Sequence, residues 1–203
     1  MILNFRKEIL AFISKPERVE DEETIDDCSD ILVVSDTMAV AVHNEDANVA
    51  LVGHTYLIKA KLSNGLSYTA YTYAGELPSC AFGFNNHGLI LNVETASSQR
   101  LSVQEVGSTP FFHANMYLHL EVDQVHDQNS ISRQNRAALL PKRSKQDLLS
   151  LLGDTGDHKY PIFMQGPNLY TLCTAVIDLD ERTLAITEAN PRKGEVSYVF
   201  TMA

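Results

Sequence analysis

Little in this chain announces a secreted, membrane-bound or metal-binding protein. Only three cysteines occur, Cys28, Cys80 and Cys173. That odd set cannot close completely into disulfides and reads as free thiols in a reducing compartment. No apolar run approaches the roughly 18 residues that a membrane span needs. Residues 1–13 are broken by Asn4, Arg6, Lys7 and Glu8, so they lack the apolar centre of a secretory signal. The expectation is a soluble, cytoplasmic protein with no membrane partner. Basic residues are scarce too. Lys and Arg number 16 against 26 Asp and Glu, and the net charge of −10 argues against nucleic acid as a partner. Seven histidines are present, but no H-E-x-x-H or Cys-x-x-Cys pattern gathers them into a ligand set, so no metal is expected. Phosphate-cradling glycine loops and the G-x-S-x-G nucleophile elbow are also missing, and no cofactor is expected.

What is present suits one domain of 203 residues, 44% hydrophobic, with enough apolar material for a core. Ile2, Phe5, Ile9 and Phe12 fall on one face of a short amphipathic helix. Pro16 and the acidic run from Glu20 to Asp27 follow as an exposed linker. Residues 1–27 are therefore set apart from a domain over 28–203. Strand-like stretches run over Ile31–Val34 and Met38–Val42, the second ending in the polar cluster His43–Asn48. Ser63-Asn64-Gly65 is a turn between β-rich segments, and Asn85–Gly88 is another before an apolar strand at Leu89–Leu91. Thr95–Ser98 reads as a polar break, and Phe111–Leu120 as the start of a helix near Asn115. Two helices split by Pro141 are expected over 128–152, the second capped by Ser144. A hairpin turns at Asp180-Glu181-Arg182, and a last strand follows at Val196–Phe200. Strands with helices grouped mid-chain predict an α+β domain.

Cys28 draws the eye because it stands between the acidic run and the first strand. Most intracellular cysteines are inert packing residues. A cut before Cys28 would change its chemistry, because thiol and α-amino group would then share one residue. An α-amine with a pKa of roughly 7.7–8.0 suits a general base at neutral pH. Asp46 reads equally as turn chemistry or as a site carboxylate, and Asn115 as a cap or as an amide donor to an oxyanion. Cys80 and Cys173 read as packing residues, Arg133 and Arg136 as surface or ion-pair residues.

Several segments, taken in order, carry a family likeness. They are Cys28-Ser29, His43-Asn44-Glu45-Asp46-Ala47, Tyr73–Pro78, Gly83–Asn92, Phe112-His113-Ala114-Asn115, Ser130–Arg136 and Asn190-Pro191-Arg192. The chain resembles the acyl-coenzyme A:6-aminopenicillanate acyltransferase family of N-terminal-nucleophile hydrolases, most nearly its members that cleave β-alanyl amines. The resemblance implies a four-layer αββα sandwich and autoproteolysis at Asp27–Cys28. It implies a Cys28 nucleophile, an Asn115 oxyanion donor, and an Asp46 that holds the Cys28 α-amino group. Asn44, Glu45 and His113 are the implied substrate contacts, and a small acyl-amine is the implied substrate. Acyl transfer through the same thioester is the alternative chemistry.

Three departures stand out. Asp27 replaces the family's glycine. The segment before the cysteine is short. Asn92 joins Val93 directly, where the family has a helix pair and a core strand. The sandwich is thus expected to be incomplete and the turnover weak. A non-catalytic product that self-associates or pairs with a full-length relative is the rival reading.

Overall fold

The computed structural model describes residues 28–75, 81–86, 93–97, 100–103, 106–119, 121, 123–124 and 127–202. The helix expected over 2–13, the linker with Asp27, Cys80, and the strand at Leu89–Leu91 lie outside these residues.

Antiparallel pairing dominates the chain. Strands β1 (Ser29–Ser35) and β2 (Met38–Asn48) form a tight hairpin with Ser29 opposite Asn44 and Ser35 opposite Met38. Ile31, Val33 and Val34 in β1 and Val40 and Val42 in β2 are β-branched residues that favour a pleated, half-buried surface. The polar cluster His43–Asn48 does not end the strand, as the sequence suggested, but belongs to it. Its backbone is paired with β9 (Leu169–Asp178) from His43 to Asn48, and with β1 as well at His43 and Asn44. That pairing satisfies the main chain, so polar side chains do not interrupt it. Strands β10 (Thr183–Thr187), β11 (Tyr198–Thr201) and β8 (Phe111–His113) complete a six-stranded sheet in the order β11-β10-β9-β2-β1-β8. A second sheet has three strands, β3 (Thr55–Lys61), β4 (Ser67–Tyr73) and β5 (Gly83–Asn85), with β3 and β4 turning at Ser63-Asn64-Gly65 as expected. Strands β6 (Val93–Ser97) and β7 (Arg100–Val103) pair with each other.

Two expectations fail here. Thr95–Ser97 is no break, because it belongs to β6, which pairs with β7 through a register shift between Thr95 and Ser97; Ser98 lies outside the described residues. No helix begins near Asn115 either. Phe111, Phe112 and His113 pair with β1, and a bond from the Met116 amide to the Ala114 carbonyl, 2.7 Å, closes the strand in a tight turn. A neighbouring strand edge here outweighs a weak helical pattern.

Alternation along β1 and β2 divides the core. Ile31, Val33, Val40 and Val42 pack with Phe112 and with Ala137, Leu148, Leu151 and Leu152 of two helices. Ala41 and Ala47 face the other way, onto Tyr71, Tyr73, Phe82 and Phe84 of the second sheet region. Among the described residues the order is thus helices, six-stranded sheet, three-stranded sheet, an α+β arrangement. The helices are α1 (Gln128–Leu139) and α2 (Lys145–Leu152). Asp127 caps the first, and Ser144 caps the second by accepting from the Asp147 amide at 3.1 Å.

Asp154 pins this helical layer. It is 2% exposed and accepts two bonds from Arg136 of α1, at 2.8 and 3.1 Å. It accepts a third from Arg192, at 2.6 Å, and a fourth from the Gly156 amide, at 3.0 Å. Burial works against its charge. The Arg136, Gly156 and Arg192 bonds outweigh burial and hold the carboxyl below the usual range. Its stabilisation is therefore complete above the unfolded pKa of roughly 3.9 and is lost as pH falls through the lower folded value. Asp154→Asn should cost about 2 kcal/mol at neutral pH, the two arginines being partly exposed. That difference should shrink toward nothing in acid melts below about pH 4. A gap that stays constant with pH would show that the carboxylate charge is not what matters.

Candidate active site

Cys28 stands just ahead of β1, half-buried, where the hairpin register brings the start of β1 beside the middle of β2. On β2 the period of two sends His43 and Glu45 to one face. The Cys28 thiol lies on the same side, and ligand atoms of Cys28, His43 and Glu45 all lie within 4.8 Å of one another. The thiol also approaches the Asp46 carbonyl at 4.0 Å. His43 sits between two carboxylates, its Nδ1 2.7 Å from Asp30 Oδ1 and its Nε2 2.8 Å from Glu45 Oε2. The Tyr73 hydroxyl donates to the other oxygen of Glu45. Phe82 covers the imidazole, with ring centroids 5.4 Å apart.

Electrostatics follow from this crowding. Burial, then the Glu45 charge, pushes the Cys28 thiol up to about 12, against a downward pull from His43. Burial alone would lower His43, but the charge and hydrogen bond of Asp30 lift it well above its ordinary value. The resting pair is therefore a neutral thiol beside an imidazolium. Some further base has to take the thiol proton before Cys28 can act as a nucleophile.

Behind Cys28 lies the residue that sequence reasoning misplaced. Arg133 is not at the surface. It is 0% exposed. Its guanidinium offers five N–H donors, and five acceptors meet them. Nη1 donates to the Cys28 carbonyl at 2.6 Å and to Ser29 Oγ at 2.8 Å. Nη2 donates to Asn115 Oδ1 at 3.0 Å and to Ser130 Oγ at 3.3 Å. Nε donates to Asn129 Oδ1 at 3.0 Å. One planar group thus joins the cysteine main chain to the asparagine carboxamide. Because Asn115 Oδ1 faces Arg133, the NH₂ end of its amide points elsewhere, and Asn115 is exposed. A signal for this burial was present: Ser130, Arg133 and Ala137 share one face of α1, and small residues mark the face that packs closely.

The other expected site residues have distinct settings. Asp46 is fully buried, and Thr171 donates to its Oδ1. Its Oδ2 is the one buried side-chain polar atom among the described residues without a hydrogen-bond partner. Burial raises Asp46 to about 7, with Thr171 and then Arg133 pulling down. Asn44 is fully buried; its amide donates to the carbonyls of Leu152 (2.8 Å) and Ile162 (3.1 Å) and accepts from Thr174 (2.7 Å). It therefore ties the sheet to the end of α2. His113 lies opposite Asp30 across β1 and β8, with Nε2 2.9 Å from the Met116 carbonyl. Cys173 is buried opposite Glu45 in the neighbouring strand. Asp27, the other half of the expected cleavage site, lies outside the described residues. An open cleft of about 480 Å³ is lined by Asn129, which accepts from Arg133, and by Met164, and neither Cys28 nor Asn115 lines it.

A half-buried thiol ahead of a hairpin, with a buried aspartate 18 residues on, invites comparison with known proteins. Residues 34–109 match the model of the acyl-coenzyme A:6-aminopenicillanic acid acyl-transferase family. That span contains His43, Asn44, Glu45 and Asp46, while Cys28 precedes it and Asn115 and Arg133 follow it. The chain is also 21% identical, over 256 aligned positions, to the beta-alanyl-dopamine/carcinine hydrolase of Drosophila melanogaster. The alignment takes in 83% of this chain and 66% of that protein, so the chain spans about two thirds of the relative's length. Since 256 positions exceed the 203 residues here, the relative carries segments with no counterpart in this chain. Among the described residues no helix is long and apolar enough to cross a membrane.

Proposed function

We propose that the chain is a thiol amidohydrolase of the N-terminal-nucleophile kind, built on an incomplete αββα sandwich and acting on small acyl-amines. The observation that carries this reading is the Arg133 guanidinium, which holds both the Cys28 carbonyl and the Asn115 carboxamide. Cleavage begins with attack of the Cys28 thiol on the Asp27 carbonyl carbon. The Asp27–Cys28 C–N bond breaks, the departing nitrogen takes up the thiol proton, and a thioester and a free α-amine result. Water hydrolyses the thioester, giving an Asp27 carboxylate and a Cys28 thiol. The new amine supplies the base that the thiol needs, and the unpartnered Asp46 Oδ2 is a ready acceptor for it.

With an amide substrate, the α-amine takes the thiol proton and the thiolate attacks the carbonyl. Asn115 donates its NH₂ to the oxyanion. The C–N bond breaks, the ammonium protonates the leaving amine, and water releases the acid. Similarity to a β-alanyl-amine hydrolase supports β-alanyl amines as the substrate class. Capture of the thioester by a second amine would make the same site an acyltransferase.

The test is hydrolysis of a panel of β-alanyl amines by the purified chain. We expect turnover below that of a full-length relative, since displacement of reacting groups by about 1 Å can cost roughly 10²-fold. Asn115→Ala should lower it by a further factor of roughly 10²–10³. Turnover indifferent to Asn115→Ala would remove the oxyanion role. No turnover and no trapped thioester would favour the non-catalytic reading, with self-association or pairing to a full-length relative as the chain's role.

A further inference from the structure

We propose that Cys28, His43 and Glu45 form a binding site for Zn²⁺, and that occupancy holds the thiol in a form that cannot attack a carbonyl. The inference concerns regulation of the same thiol and rests on that reading only for its consequence; binding itself does not depend on it. Sulfur, imidazole nitrogen and carboxylate oxygen are the three donor types zinc takes, and three protein ligands with an open fourth position are a common zinc set. Their donor atoms already lie within 4.8 Å of one another. A tetrahedral site with bonds of about 2.0–2.3 Å needs donor separations of roughly 3.3–3.7 Å. From an upper limit of 4.8 Å, Cys28 has to close by no more than roughly 1.5 Å, and His43 Nε2 and Glu45 Oε2, now 2.8 Å apart, have to part slightly.

The surroundings fit a ligand set. Metal-binding histidines commonly donate their second ring N–H to a carboxylate, which fixes the ring and its tautomer. Here Asp30 stands 2.7 Å from His43 Nδ1, leaving Nε2 for the ion. Tyr73 holds one Glu45 oxygen and leaves the other facing the cluster. With the thiol and Nε2 protons released, Zn²⁺ meets one thiolate and one carboxylate. The buried Glu45, 1% exposed, then faces a cation, and the remaining negative charge sits on Asp30, which is partly exposed at the edge of the cluster. No histidine-pair motif could announce such a site. His43-x-Glu45 is the signal, two residues on one strand face, with the third ligand supplied across the hairpin.

The test uses the full chain, freed of metal by chelator and dialysis. Titration with Co²⁺ should develop a near-ultraviolet thiolate-to-cobalt absorption that saturates at one equivalent, and Zn²⁺ should bleach it. Cys28→Ala should abolish that band, Glu45→Gln should weaken binding at least tenfold, and Cys173→Ala should leave it intact. Loss of the band in Cys173→Ala with retention in Cys28→Ala would overturn the assignment. In the unsubstituted chain, where folding is not in question, Zn²⁺ should slow alkylation of Cys28 at least tenfold in a peptide map, while Mg²⁺ does not. Absence of both the band and the protection would also overturn it. Neither readout measures turnover. Amide hydrolysis in excess chelator tests the proposed function separately.

Discussion

Cys28→Ala should leave a single uncut chain of 203 residues, whereas the unsubstituted protein accumulates a fragment beginning at Cys28. Mass analysis of the purified proteins reads the result directly. The expectation rests on the proposed attack of the Cys28 thiol on the carbonyl of the residue before it, Asp27. Asp27 has a Cβ and cannot visit the backbone conformations open to glycine. Cleavage should therefore be slow, and Asp27→Gly should speed it. The cut fragment should react with iodoacetamide at Cys28 well before Cys173, which is 1% exposed and whose thiol burial pushes up to about 12. If Cys28→Ala is still cut at the same bond, a separate protease is responsible. If the unsubstituted chain stays whole while hydrolysing amides, the α-amine is not the base.

Replacement of Arg133 should be the most damaging change to the folded protein. Arg133→Met keeps the volume but leaves the Cys28 carbonyl, Ser29 Oγ and Ser130 Oγ without their donor in a closed interior. Lost partners of this kind cost about 1–3 kcal/mol each at buried sites, and a total near 3–5 kcal/mol is expected in denaturant unfolding. Arg133→Lys keeps the charge and loses the fork. It should unfold only somewhat more easily, yet turn over amides about 10²-fold more slowly, because Asn115 loses the partner that orients its amide. A lysine variant with unchanged turnover would show that Arg133 holds the fold and not the chemistry.

Much of the frame was legible. The β1–β2 and β9–β10 hairpins follow from alternating apolar residues around short polar turns, and α2 from the Ser144 cap and its apolar face. The failures at Asn115 and Arg133 share a cause: they depend on residues far away in sequence. Asn115 follows a strand because β1 offers an edge to Phe111–His113, and nothing within residues 111–120 states this. Arg133 is buried because three of its acceptors come from Cys28, Ser29 and Asn115, 18 to 105 residues away, and a charge is tolerated inside only when so many bonds are made. The carboxylate-flanked His43 was hidden for the opposite reason. Its partners are near in sequence, Glu45 two residues on along the same strand and Asp30 across the hairpin turn, a pattern that helical spacing does not announce.

This difference in range orders events in time. The thiol cluster spans only the β1–β2 hairpin, whose contacts close a short loop and can form early in folding. The grip of Arg133 on the Cys28 carbonyl closes 105 residues and waits for α1 to dock. A chain emerging from the ribosome would assemble thiol, imidazole and carboxylate long before the residue that sets the angle of the cysteine main chain. Under the proposed cleavage, peptide-bond scission would be a late event that reports completed folding, and a truncated translation product lacking α1 would carry the thiol but not the geometry to use it.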